Sequence, residues 1–272
     1  MGMIVFPNGK INIGLRVIEK RSDGYHNIES IMVPVAFCDI LEIVPSSDNF
    51  TFYSSGIEID STCNKNLSLQ AYELMKRNYP IHEVKIHLHK LIPPGSGLGG
   101  GSSDASFTLI LLRRLFGLKF CNNELEDLAM MLGSDCPFFV ANKPQLIEGT
   151  GIATHRFIQF PPFHVVIVLP DIAVSTAWAY NKVKPSGQRL PEPKKIINNY
   201  NEWPKLIFND FEEPVFSEYP VLADIKEKLY ENGAFYAAMS GSGSSIFGLF
   251  EEKPDNLEFL KDFEYRVTRI LV

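Results

Sequence analysis

Along Val84-Lys85-Ile86-His87-Leu88-His89-Lys90-Leu91 apolar and polar residues alternate with a period of two, the pattern of a strand with one face on a core. Shorter β-rich runs at 12–17, 27–37 and 40–44, broken at Ser22-Asp23-Gly24, make residues 3–53 a hairpin-rich sheet. Residues 67–77 and 123–132 instead repeat at helical spacing, with Gly133 as a stop. The nearly continuous apolar run Phe107 to Leu112 predicts a further helix, and 163–169 a buried strand. Residues 185–203, rich in Pro, Lys and Asn, read as an irregular insert. A helix over 222–231 and strands over 234–239 and 246–250 complete the pattern. This mixed order of strands and helices predicts an α+β fold without tandem repeats. The pattern changes near 150–160, dividing the chain into domains at 1–155 and 156–272.

With 272 residues and 45% apolar content, the chain has core enough for that division. The net charge of −6, with Lys and Arg scattered, points to a small-molecule partner and away from nucleic acid. Cys38, Cys63, Cys121 and Cys136 are widely spaced and form no C-x-x-C pair, as expected of reduced thiols in a cytoplasmic protein. There is no run of 18 apolar residues and no basic leader, so no membrane partner is expected.

The candidate chemistry centres on Pro94-Gly95-Ser96-Gly97-Leu98-Gly99-Gly100-Gly101-Ser102-Ser103, which has five glycines in seven positions. Each fixed glycine costs about 0.5–1 kcal/mol relative to alanine, so such a cluster needs a compensating gain. Close approach of backbone N–H groups to an anion supplies one, aided by the dipole of the following helix. A flexible Gly/Ser linker is the alternative, but the flanking strand and helix patterns oppose it. Gly95, Gly97 and Gly100 also fit G-x-G-x-x-G, a weak dinucleotide signal, whereas a Walker lysine is absent. The Ser240–Ser245 cluster is either a tight turn or a second anion nest.

Lys10, at the opening of a strand, reads as a solvated surface lysine or as the cation for a carboxylate. Asp135, in Gly133-Ser134-Asp135-Cys136-Pro137, reads as a helix N-cap or as that carboxylate. As a pair they could handle a substrate hydroxyl. Tyr25 and His26 follow the Asp23-Gly24 turn, where they either anchor it or stack on and read a base. His87 and His89 share a strand face without a third metal ligand nearby in sequence.

In order and spacing, Gly9-Lys10-Ile11-Asn12, Arg21 to His26, the loop Pro94 to Ser106, Gly133 to Phe139 and Met239 to Ser244 resemble the GHMP kinase superfamily. Within it, Asp23-Gly24-Tyr25-His26 looks like the cytidyl-substrate kinases of the non-mevalonate isoprenoid pathway. The resemblance implies two α+β domains with the active site in the cleft between them, ATP as co-substrate with Mg²⁺, and a cytidyl sugar-alcohol acceptor. It implies Asp135 as base or orienting group and Lys10 as its cation. ATP would lie over Pro94 to Ser103, near Lys90 and Asn66. Asn12, Tyr25, His26, Thr176, Tyr180, Ser240 and Gly241 would meet the acceptor. Three positions depart from the pattern: Asn8-Gly9 replaces the usual Pro-Ala, Gly149-Thr150-Gly151-Ile152 lacks an acid, and Tyr180 stands where others carry Phe.

Overall fold

The computed structural model describes residues 2–60, 65–197 and 199–272. From the N-terminus, β1 (Met3–Val5), β2 (Asn8–Lys20), β3 (His26–Cys38), β4 (Ile40–Pro45) and β5 (Thr51–Gly56) precede α1 (Leu67–Asn78) and β6 (Val84–Lys90). Three helices follow, α2 (Gly100–Leu115), α3 (Asn122–Met130) and α4 (Cys136–Ala141). Next come β7 (Gln145–Gly149), β8 (Ile152–Phe157), β9 (His164–Leu169) and α5 (Thr176–Lys182). The short α6 (Pro193–Ile197), α7 (Trp203–Leu206) and α8 (Glu212–Glu218) lead to α9 (Pro220–Glu231), β10 (Tyr236–Met239), β11 (Ile246–Phe250) and β12 (Glu264–Arg269). Among the described residues no helix is long and apolar enough to cross a membrane.

These elements form two compact units. One comprises Met1–Gly9, Phe37–Pro94 and Gly99–Asn142; the other comprises Lys10–Ala36, Gly95–Leu98 and Lys143–Val272. A single cut at residue 155 divides the chain differently, because Lys10–Ala36 and Gly95–Leu98 group with Lys143–Val272.

In the first unit the sheet order is β1-β4-β6-β5, antiparallel except for the parallel β5–β6 pair. Val84, Ile86 and Leu88 face a core with Leu41, Ile43, Tyr72, Met75, Leu109 and Leu112, while Lys85, His87 and His89 lie on the other face. Helix α2 begins inside the glycine run, seven residues before the apolar stretch that announces it. Its first two turns are small or polar yet mostly buried, so they show no hydrophobic period. Helix α3 ends at Met130, and the Gly133 N–H reaches back to the Ala129 carbonyl.

The second unit contains the sheets β2-β3-β7-β8 and β10-β11-β9-β12. In the latter, β9 is interior, antiparallel to both β11 and β12, and Val165 to Leu169 are all buried, hence their unbroken apolar run. Strand β2 is twice as long as its sequence pattern indicates. Residues 8–17 are buried throughout, so no polar face marks its extent. Within the expected insert 185–203, α6 and the 3₁₀ turn Tyr200–Glu202 form short helical pieces. Strand β12 pairs Glu264–Arg269 with Leu169–His164 and is mostly polar, with Tyr265 and Val267 alone marking its alternation.

Candidate active site

The segment Gly95–Leu98 lies in the second unit. Backbone φ is +70° at Gly95 and +79° at Gly97, then +71° at Gly99, while Asn142 is the one non-glycine at positive φ among the described residues. The sign of φ therefore alternates through the loop, which is the backbone geometry of an anion nest. At Gly97 the reason for glycine is the protein itself. A Cβ there would sit 2.0 Å from the Ser240 carbonyl oxygen. At Gly95 a Cβ would meet nothing within 4 Å, so there the positive φ alone favours glycine.

Four hydrogen bonds sew this segment to its surroundings. Lys10 N–H donates to Leu98 O at 2.8 Å, and Ser245 N–H donates to Ser96 O at 3.1 Å. The Lys10 ammonium donates to Gly97 O at 2.8 Å, and Ser240 Oγ donates to the same carbonyl at 3.0 Å. Lys10 is thus buried at the loop, contrary to the surface alternative. Its Nζ also donates to Asn12 Oδ1 at 2.7 Å. The Asn12 amide then donates to Ser30 Oγ at 2.8 Å, and Ser30 donates to Gly14 O at 2.6 Å. Asn12, expected on the acceptor side, therefore uses both ends of its amide inside the protein.

The turn after the second cluster is held by Asn209, whose buried amide donates at 2.8 Å to both Met239 O and Gly241 O. Thr176 Oγ1 lies 3.1 Å from Ser242 Oγ beside that turn. The aromatic residues gather in the same unit. Tyr180 packs edge-on to Phe211 at 4.8 Å and lies 5.2 Å from the His26 ring. His26 is buried, and burial lowers its pKa from the ordinary 6.5, with the Lys20 charge acting in the same direction. Tyr25 is 66% exposed, so it does not anchor its turn through burial. That turn is braced instead by Arg21 and Asp23, paired at 2.8 Å, and by Tyr25 N–H donating to Asp23 Oδ1 at 3.1 Å.

In the first unit the loop continues into α2, whose N-cap Gly99 offers no side-chain bond. Ser103 N–H bonds back to Gly99 O, but the three N–H groups before it have no intrahelical carbonyl to reach. Gly101 is exposed there, and the buried Ser103 hydroxyl has no partner. Free N–H groups at a helix start favour an anion.

Lys90 is committed elsewhere. Its buried ammonium pairs with Asp39 and, at 2.7 Å, with Asp104 Oδ2. Asp39 Oδ1 also accepts the N–H groups of Leu91 (2.6 Å) and Ile92 (2.8 Å), where the chain leaves β6. A Cβ on Gly100 would approach Lys90 Nζ to 2.9 Å. Burial pushes the Asp104 carboxyl up, Lys90 opposes this and Asp39 adds to it; Asp104 Oδ1 has no hydrogen-bond partner. Lys90 therefore belongs to an ion triad with Asp39 and Asp104. Asn66 caps α1, its Oδ1 accepting from Ser68 N–H (3.0 Å) and Leu69 N–H (3.2 Å). Asp135 occupies the N-cap position of α4 but makes no capping bond with its side chain.

Asp39, Asp104, Ser30 and Asn209 carry no signal that sequence reading found. Asp104 stands in the glycine motif itself, whereas Asp39 meets a lysine 51 positions away. His87 and His89 both turn to Ser55 Oγ, at 2.8 and 2.9 Å. No group of three or more His, Cys, Asp or Glu among the described residues is arranged to hold a metal.

Comparison with known proteins identifies this architecture. Residues 66–143 match the GHMP kinases N terminal domain and residues 191–263 the GHMP kinases C terminal domain. A 4-diphosphocytidyl-2-C-methyl-D-erythritol kinase of Bacteroides fragilis is 45% identical over 94% of this chain and 96% of its own length. The Parabacteroides distasonis kinase of the same name is 48% identical, covering 92% of both chains. The chain belongs to the 4-diphosphocytidyl-2-C-methyl-D-erythritol kinase family of GHMP kinases. A crystal structure of a kinase so named superposes with a TM-score of 0.82 at 29% identity, covering 98% of this chain and 99% of that one. The Methanococcus jannaschii mevalonate kinase shares the fold at a TM-score of 0.68 and 18% identity, covering 100% and 99% of the two chains. As in GHMP kinases generally, ATP is the phosphate donor, and the α+β organisation is that of the family.

Proposed function

We propose that this protein transfers the γ-phosphoryl group of ATP to the 2-hydroxyl of 4-diphosphocytidyl-2-C-methyl-D-erythritol, giving the 2-phosphate and ADP. The reaction belongs to non-mevalonate isoprenoid precursor synthesis and takes place in the cytoplasm. The names and high coverage of the relatives support the acceptor. The observation that carries the chemistry is Lys10, a buried ammonium bonded to the carbonyl of Gly97 in the glycine loop.

Phosphoryl transfer is chiefly positioning and charge stabilisation, with little covalent work for the protein. The nest at Gly95 to Gly99 and the uncapped start of α2 would hold the triphosphate. ATP supplies the phosphoryl group, and the Mg²⁺ expected with it would offset the charge of its phosphates. Lys10 would offset negative charge on the phosphoryl oxygens. Asp135 would accept or orient the acceptor's hydroxyl proton. Tyr25 and Tyr180 would bracket the cytosine, and neutral His26 would read its edge. Ser240, Gly241 and Thr176 would line the acceptor side, their backbone set by Asn209. The loop falls within residues 1–155, whereas the acceptor residues come from both 1–155 and 156–272.

The test is ADP release with the cytidyl substrate, with 2-C-methyl-D-erythritol 4-phosphate, with homoserine and with mevalonate. The account requires turnover with the first alone. Equal turnover without the cytidyl group would remove the substrate assignment.

A further inference from the structure

We infer that Ser30 is a positioning residue of this reaction: it fixes which way the Asn12 amide faces, and thereby where the Lys10 ammonium stands. The inference rests on the proposed role of Lys10. All three side chains are buried, Lys10 at 4%, Asn12 at 2% and Ser30 at 0% exposure, so water cannot substitute for a lost partner. A serine hydroxyl has one proton. Ser30 gives that proton to Gly14 O at 2.6 Å, so its oxygen can present only lone pairs to Asn12. Asn12 must then turn its NH₂ toward Ser30 and its carbonyl toward Lys10. The flipped amide would set oxygen against oxygen at Ser30 and NH₂ against the ammonium at Lys10. Both contacts are repulsive.

The chain of direction begins in backbone that cannot easily move. Gly14 has φ +69°, and a Cβ there would lie 2.6 Å from Ile207 Cγ2 and 2.7 Å from Leu190 Cδ2. The next residue, Leu15, exchanges hydrogen bonds with the same segment, its N–H donating to Phe208 O at 2.9 Å and its carbonyl accepting from Asp210 N–H at 2.8 Å. From that anchor the order runs Gly14 O, Ser30, Asn12, Lys10, Gly97 O. The last member is in the phosphate loop, so the strands β2 and β3 set the orientation of a cation that meets the loop. Ser30 touches neither ligand in this scheme.

The test compares Ser30→Ala with Ser30→Thr, which keeps the hydroxyl. A displaced catalytic group can cost on the order of 10²-fold, so Ser30→Ala should lower kcat by about 10- to 100-fold with both KM values within about threefold. Ser30→Thr should recover most of the turnover. The ¹⁵N resonance of the Lys10 ammonium should shift in Ser30→Ala and stay near the parent position in Ser30→Thr. Should the alanine variant melt below the assay temperature, the near-isosteric Ser30→Cys replaces it. An unmoved Lys10 resonance in Ser30→Ala overturns the inference whether or not the parent enzyme turns over the cytidyl substrate. So does an equal kcat loss in the threonine variant. Absence of turnover in the parent would count against the proposed function alone.

Discussion

The ammonium of Lys10 lies 2.8 Å from the carbonyl oxygen of Gly97, 87 positions away in the chain. That bond ties the first long strand to the glycine loop. The loop needs glycine at this position for a separate reason: the Ser240 carbonyl leaves no room for a Cβ. Lys10→Met keeps an unbranched chain and removes the charge. Removing one preorganised donor costs about 10²–10³-fold in turnover, and a loss of that size is expected here. Nucleotide affinity, measured by titration calorimetry, should change far less. A kcat equal to that of the parent would remove Lys10 from the chemistry.

The two carboxylates on Lys90 should behave differently. Asp39 accepts two backbone N–H groups in addition to the ammonium, so Asp39→Asn, with its oxygen kept on those N–H groups, sets an NH₂ against the Lys90 ammonium and leaves Asp104 as its carboxylate partner. Losing a buried hydrogen bond to a charged group costs about 1.5–3 kcal/mol, to be read by urea unfolding. Asp104, with one oxygen unpartnered, is pushed up mainly by burial. A raised folded pKa means its favourable contribution is fullest below the ordinary 3.8 and is lost as pH rises through the folded value. Asp104→Asn should therefore gain stability relative to the parent as pH increases. A difference between the two that is flat in pH would contradict the reading.

The legibility of this chain follows its hydrophobic contrasts. Strand β6 was plain because its residues alternate between core and solvent, and β9 because it is interior and wholly apolar. The sequence pattern shows only part of strand β2 and of α2, since burial of Asn8, Lys10, Asn12, Ser103 and Asp104 erases the polar-apolar contrast that periodicity reads. The same residues make up much of the site. Lys10 and Asn12 could be named from their motif, but the bonds from Lys10 to Gly97 and from Asn12 to Ser30 are tertiary and local spacing does not encode them. Lys90 and Asn66 show the converse. Their positions by motif suggested nucleotide contact, and the structure gives them an ion triad and a helix cap.

His26 gives a pH dependence of defined sign. Its pKa is lowered by burial and then by Lys20, so the ring is neutral above 6.5. Its stabilising contribution is present there and is lost as pH falls through the lowered folded value. KM for the cytidyl substrate should rise across that acidic range in the parent and stay flat in His26→Gln. Tyr25→Ala should raise the same KM by the equivalent of about 1–3 kcal/mol of stacking and leave that for ATP unchanged. Matching losses for both ligands would speak against a cytosine site.

Thiol reactivity should follow burial. Burial pushes the Cys136 thiol up to about 12 and raises that of the half-buried Cys38, whereas Cys121 is exposed. Mass spectrometry after brief alkylation should find Cys121 modified, Cys38 slowly and Cys136 only after unfolding. Rapid labelling of Cys136 in the folded protein would contradict its packing. Cys63 lies outside the described residues.

The central claim is transfer of phosphate to one particular hydroxyl, and proton-coupled ³¹P spectroscopy of the reaction mixture tests it most directly. The acceptor's name places a methyl group on C2, so that carbon bears no hydrogen. With ATP, Mg²⁺ and the cytidyl substrate, the account predicts a new phosphomonoester signal, unsplit by a proton on its carbon, growing in step with ADP. A split signal would place the phosphate on another hydroxyl, and inorganic phosphate with ADP but no new ester would mean that the protein does not act as a kinase on this substrate.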